Sequence, residues 1–198
     1  TKRAQVRFYL GDTDTAETEI RDIVTRYPQH AEARWVLSCI CLAKGDYIEG
    51  WREYAARWAI AKVAPATSQV EKPLWEGEKL HGKRILVWPE QGLGDEIMFA
   101  TCVPQLLAEA QPDRCIYVCD RRLAPLIGRT FPDLTVVPTD KTQSREVSLQ
   151  VPTFDVQTCC GDLPAYLRRT AEGFRNPLPL FIPDPEKLTK WRARIDAL

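Results

Sequence analysis

The sequence has no long apolar run, no excess of either charge and almost no histidine. Its hydrophobic stretches fall far short of the roughly 20 residues that cross a bilayer, so no membrane-spanning helix is expected. The 27 Lys and Arg are balanced by 27 Asp and Glu. That leaves neither the basic face that binds nucleic acid nor a basic run that seeks an anionic membrane. Histidine occurs only at His30 and His81, which leaves little to build a metal site. The seven cysteines, Cys39, Cys41, Cys102, Cys115, Cys119, Cys159 and Cys160, are an odd count set mostly in apolar segments. They read as buried free thiols in a reducing, cytoplasmic compartment. Zinc is disfavoured. Cys115 and Cys119 share one face of an expected strand and belong to its core, and Cys159-Cys160 has no second ligand pair nearby. No metal and no cofactor is therefore expected. No signal-peptide pattern is visible, and since Thr1 is not an initiator methionine, the true N-terminus is expected to lie further upstream.

With 44% hydrophobic and 27% charged residues in 198, the composition is that of a globular protein with one large domain or two small ones. The first sixty residues repeat. Gly11-Asp12 recurs as Gly45-Asp46 at an offset of 34 residues, and Ala16 falls on Gly50 at the same offset. That period is the tetratricopeptide one. The second unit, Ala31 to Trp58, has Leu37 and Ser38 in its first helix, Gly45-Asp46-Tyr47 in its turn, and Gly50 and Tyr54 in its second helix. Small residues at Ser38 and Gly50 let the helices approach, and Tyr54 fills the space beside them. The first unit begins with a truncated helix, Lys2 to Leu10. Repeat helices commonly carry a groove for a partner, which makes Trp51, Arg52 and Arg57 candidates for contact with a protein or peptide. The other reading of Trp51, Arg57 and Trp58, and the favoured one, is packing against the following domain, because a short stack must bury its end.

Residues 61–83 carry Pro65, Pro73, Gly77 and Gly82 and read as a linker, with Trp75 and Leu80 pinned to one of the domains. From residue 84 the chain alternates strand and helix. Strands are expected at Ile85–Trp88, Cys115–Cys119, Leu134–Val137, Phe154–Gln157 and Leu180–Ile182. Helices are expected at Asp95–Ala110 with a kink at Pro104, Arg122–Thr130, Leu163–Arg169, and from Glu186 to the end. Continuous apolar strands alternating with helices predict a parallel sheet covered on both faces. Lys141–Val151 is polar and reads as a mobile loop. The last helix has no glycine cap and no closing element, and is expected to be a domain edge or an interdomain helix.

The most informative stretch joins the first strand to its helix: Pro89-Glu90-Gln91-Gly92-Leu93-Gly94-Asp95-Glu96. Two glycines allow a tight turn and close backbone approach. A helix start offers unpaired N–H groups and a positive dipole end to an anion. A dinucleotide fingerprint fails at its third glycine, where Ile97 stands, although Asp120 is loosely placed for a ribose. A P-loop is excluded, since no Gly-Lys-Ser/Thr follows. Asp95 is both an ordinary helix-start carboxylate and the one clear acid–base candidate, and the two roles can coexist.

Two sets of residues carry a family resemblance. Gly45-Asp46-Tyr47 with Gly50-Trp51-Arg52-Glu53-Tyr54 and Arg57-Trp58 resembles the last repeat of bacterial tetratricopeptide proteins fused to a glycosyltransferase-like domain. Glu90 to Ala100 resembles the start of that domain and, more distantly, of heptosyltransferases. Cys119-Asp120-Arg121-Arg122-Leu123, Phe131-Pro132, Phe154-Asp155-Val156-Gln157 and Gly161-Asp162-Leu163-Pro164 extend the resemblance over most of residues 31–198. One departure is Phe99-Ala100-Thr101-Cys102, where many relatives have Phe-Ala-Arg-Tyr. The resemblance implies repeats at 1–60, a linker at 61–83 and, at 84–198, the Rossmann-like N-terminal half of a GT-B glycosyltransferase. In such an enzyme the acceptor lies on this half, a nucleotide sugar on a C-terminal half, and no metal is needed. By match, Asp95 is the base, and Gln91, Gly92, Leu93, Gly94 and Glu96 line the substrate cleft. A chain with one such half is expected to be inactive alone. The alternative is a non-catalytic tetratricopeptide interaction module with a degenerate transferase-like domain.

Overall fold

A computed structural model describes residues 1–60, 70–90, 92–140, 151–174 and 181–197. The first part is helical: α1 Lys2–Tyr9, α2 Thr13–Arg26, α3 Ala31–Lys44 and α4 Tyr47–Tyr54, then a 3-10 turn at Ala55–Ala59. The repeated Gly-Asp pairs do the same work twice. Gly11 and Gly45 both take positive φ, which glycine adopts without steric cost. Asp12 and Asp46 both stand at the N-cap of the next helix, and Asp46 accepts from Glu49 N. Each helix packs on the next around Ala16, Ile20, Ala33, Val36, Leu37 and Ile40. Gly50 makes the closest approach, since a Cβ there would lie 2.6 Å from Leu42 Cδ2.

The second part is a four-stranded parallel sheet of order β3-β2-β1-β4, with β1 Arg84–Trp88, β2 Arg114–Asp120, β3 Leu134–Thr139 and β4 Val156–Cys159. Alternation along the strands divides the core. Ile85, Val87, Cys115, Tyr117, Cys119 and Val156 face one side, with the helices α5 Leu93–Ala100, α6 Val103–Ala110, α7 Ala124–Thr130 and α8 Leu163–Leu167. Leu86, Trp88, Ile116 and Val118 face the other, against Phe154, Val70, Val137 and Val151. The described helices that bury residues in the sheet core thus share one face, where sequence alternation suggested two covered by helices. Two successive right-handed crossovers in the same direction, β1 to β2 to β3, put their helices on the same side. Cys115 and Cys119 lie on one face as buried thiols, as their spacing implied.

Several boundaries differ from the sequence reading. The helix expected over Asp95–Ala110 is two helices broken at Thr101–Cys102. Thr101 Oγ1 donates to Met98 O, and Cys102 N closes a short turn onto Phe99 O. Pro104 falls in the first turn of α6, where its missing N–H costs nothing, so it starts a helix and does not kink one. Residues 181–182 form no strand. Phe181 packs on Phe131, and Ile182 exchanges hydrogen bonds with Thr130 Oγ1 and Arg129 Nε. Leu180 lies outside the described residues, as does nearly all of the loop expected at Lys141–Val151. Of the expected linker, residues 70–83 are tied to the sheet. Leu74 bridges Gln157 in parallel, and Trp75 and Leu80 are buried in the core. The last helix, α9 Pro185–Asp196, is capped by Asp184 and buries no residue.

At the opposite end of the sheet from the glycine loop, Asp155 accepts from Arg84 N, Nε and Nη2 and fastens β1 to β4. Arg84 holds the Asp155 carboxyl well below the usual carboxylate range. The stabilisation is therefore present above the unfolded pKa near 3.9 and is lost as pH falls below it. Asp155→Asn should lower the urea midpoint at neutral pH and flatten its acid dependence; a variant with the wild-type acid profile would refute this tie. Gly50→Ala tests the helix contact. Propensity alone would stabilise by about 1 kcal/mol, but overlap with Leu42 should outweigh it and destabilise by about 1–3 kcal/mol in thermal unfolding.

Candidate functional site

In an open parallel sheet, ligands gather beyond the carboxyl ends of the strands where the strand order reverses. Here that point lies between β1 and β4, which pair in register from Ile85↔Val156 to Trp88↔Cys159. The two segments leaving these strands are Pro89–Gly92 into α5 and the 3-10 turn Cys160–Asp162 into α8.

The first segment holds the residues picked out by sequence. Gly92 is the N-cap of α5 in extended backbone. Neither Gly92 nor Gly94 has positive φ. A Cβ on Gly92 would lie 2.5 Å from Asp95 Oδ2, so a side chain there would turn the Asp95 carboxylate away from its present position. Asp95 sits at the third helical position rather than at the cap, with an exposed carboxylate folded back over Gly92. At Gly94 a Cβ would meet nothing within 4 Å, and Leu93 turns partly into the core. Glu96 is not on the cleft floor. It is 1% exposed, and its Oε2 accepts from Asp120 N at 2.8 Å, tying α5 to the end of β2. Asp120 is held in turn by Arg122 through N, Nε and Nη2. Gln91 lies outside the described residues.

The second segment brings in Asp162, which sequence reasoning did not assign to a site. Glu90 and Asp162 both grip Arg57, which arrives from the 3-10 turn after α4 and is only 2% exposed. Arg57 Nη2 donates to Glu90 Oε1 at 2.8 Å and Nη1 reaches Asp162 Oδ1 at 2.7 Å. Cys159 Sγ donates to the same Glu90 oxygen at 3.3 Å, and Trp58 Nε1 donates to Asp162 Oδ1 at 3.2 Å. The guanidinium lies 4.3 Å from the Tyr54 ring centroid. A Cβ on Gly161 would overlap Glu90 Oε1 and come within 3.0 Å of Arg57 Nη2, so the absence of a side chain there admits the pair.

Burial opposes the Arg57 charge, but Asp162 and Glu90 outweigh it and hold its pKa above the ordinary range. Burial pushes the Asp162 carboxyl up, against the pull of Arg57. Burial, reinforced by Glu90 and Asp95, also pushes the Tyr54 phenol up, so Tyr54 faces the site as a neutral hydroxyl. Burial raises Cys102 and Cys119 to about 12. They are protonated thiols at neutral pH and not nucleophiles. Among the described residues no group of three or more His, Cys, Asp or Glu is arranged to hold a metal ion, and no helix is long and apolar enough to cross a membrane.

Of the candidate partner-contact residues, Arg57 is enclosed and Trp51 donates through Nε1 to Arg168 O at 3.0 Å, on the α/β part. Only Arg52 lies on the surface, paired with Glu49 and Glu53. The favoured reading of Trp51, Arg57 and Trp58 as packing residues thus agrees with their placement. The joint grip of Glu90 and Asp162 on Arg57 had one faint signal in sequence, Gly161 next to Asp162, whose missing side chain admits Glu90 and Arg57. Gly161→Ala tests the enclosure. Displacing Glu90 from Arg57 should cost about 1–3 kcal/mol in denaturant unfolding, and an unchanged midpoint would show that the pair is loosely held.

The chain is 34% identical over 209 residues to Protein FlbA of Caulobacter vibrioides, an alignment that covers 99% of this chain and 35% of FlbA. The chain therefore spans about a third of the length of that curated relative. No family model and no solved structure matches it.

Proposed function

We propose that the chain is the repeat-bearing, acceptor-side part of a cytoplasmic bacterial glycosyltransferase of GT-B architecture. In this reading α1–α4 are the end of a tetratricopeptide array, and the parallel sheet is the N-terminal, Rossmann-like half. The nucleotide sugar is bound mainly by a further domain outside these residues. The observation that carries the reading is the placement of Asp95. Its carboxylate is exposed at a helix start beside the switch point, while Glu90 and Glu96 are both turned into the protein. Gly94 adds support. Among the described residues no side chain excludes a Cβ there, and a bare backbone leaves room for an outside ligand to approach the first turn of α5.

The chemistry is a single displacement. Asp95 takes the proton of an acceptor hydroxyl as its oxygen attacks the anomeric carbon. The bond from that carbon to the nucleotide diphosphate breaks, and the diphosphate leaves with the electron pair. General-base assistance of this kind contributes about 10²–10⁴-fold. Asp95→Asn in the longer protein, assayed with nucleotide sugars, should lose turnover by that order with its far-UV CD unchanged. Transfer at the wild-type rate would remove Asp95 from the mechanism.

One observation favours a second reading, a non-catalytic interaction module. The chain's own Arg57 and Trp58 already occupy the space between the β1 and β4 loops. The two readings separate on ligand linkage: a nucleotide sugar that raises the melting temperature of the longer protein supports the transferase, and one that leaves it unmoved supports the module.

A further inference from the structure

Four groups meet at the junction of the helical part and the sheet: Glu90 after β1, Asp162 after β4, Tyr54 at the end of α4 and Arg57 in the 3-10 turn after it. One guanidinium spans both carboxylates. A rigid, planar fork of this kind fixes the relative position of the groups it bridges, which a flexible ammonium does not. The Tyr54 ring packs 6.3 Å from Phe99 on α5. Phe99 is one turn from Asp95 on the same helix, so the two share a face. The end of α4 and the 3-10 turn after it therefore touch both loops and the helix that carries Asp95.

We propose that Arg57 is a positioning residue for the switch-point site: it locks the Glu90 and Asp162 loops to the helical part, so that the repeats set the geometry of the glycine loop. The helical part is then a component of the site and not a tether beside it. A partner that shifts the end of α4 shifts the start of α5 with it. The consequence for catalysis rests on the transferase reading, but the coupling is measured without any substrate.

The experiment is amide hydrogen exchange by NMR on the whole chain, with Arg57→Met, Arg57→Lys and Trp51→Phe. The reporters are Glu96 N–H, bonded to Gly92 O, and Leu163 N–H, bonded to Cys160 O. Amides of Leu86 and Ile116 report the sheet. Arg57→Met should speed exchange at Glu96 and Leu163 by about tenfold or more with the sheet amides little changed. Trp51→Phe breaks another bond of the same interface, the one to Arg168 O, and should leave both reporters slow. Arg57→Lys, which keeps the charge without the fork, should fall between and serves as the test if the methionine variant does not fold. A carboxyl signature completes it. Loss of Arg57 should raise the Asp162 titration further, whereas simple opening of the interface would let water in and lower it towards the ordinary range. Unchanged reporters in the Arg57 variants, or equal loosening by Trp51→Phe, would overturn the proposal. Loss of transfer activity in Asp95→Asn bears on the transferase reading alone.

Discussion

A buried arginine held by two carboxylates is the interaction on which the rest of this structure depends. Moving a guanidinium out of water costs several kcal/mol unless its charge and donors are met. Here Glu90 and Asp162 meet them, and neither carboxylate is on the same element as Arg57. The three groups are compensated only when the helical part and both sheet loops are in place together. Removing Arg57 takes from the buried Asp162 the positive charge that offsets its burial, which is strongly destabilising. The cluster therefore makes docking of the two parts all-or-none, and specifies it more sharply than the apolar contact of Trp51 and Tyr54 with Phe99 alone.

The same constraint shapes the site. The buried charge of Glu90 is spent on Arg57, and that of Glu96 is tied to Asp120 N. Of the three acidic residues around the glycine loop, only Asp95 is left facing outward. Tyr54 contributes a neutral hydroxyl on the same side, because burial and the nearby carboxylates oppose its ionisation. The thiols Cys159 and Cys160 lie inside this arrangement, where Cys159 acts as a donor to Glu90. Both are buried, and neither is in a disulfide.

Much of the fold was legible because it is local. Glycine at positive φ followed by a capping aspartate marks a helix boundary by its own chemistry, and Gly11-Asp12 and Gly45-Asp46 do so twice. Continuous apolar runs located four of the five expected strands, with ends shifted by a residue or two. The helix break at Thr101 was missed because its cause is tertiary. The Arg168 guanidinium, brought by the end of α8, binds both Thr101 O and Thr101 Oγ1. In the site, Asp95 was legible as a carboxylate at a helix start, but its neighbours were not. Nothing local in Arg57, Glu90 or Asp162 shows that three charges so far apart in the chain will share one enclosed space. Side-chain direction was also hidden: Glu96 is next to Asp95 in sequence but turned into the protein, while Asp95 faces outward.

The most direct test of the claim that helices and sheet form one unit is differential scanning calorimetry of the whole chain at low salt. If the Arg57 cluster joins them, unfolding should be a single transition whose van't Hoff and calorimetric enthalpies agree. Two resolved transitions, one for the helical part and one for the sheet, would contradict it and make the two parts independent neighbours.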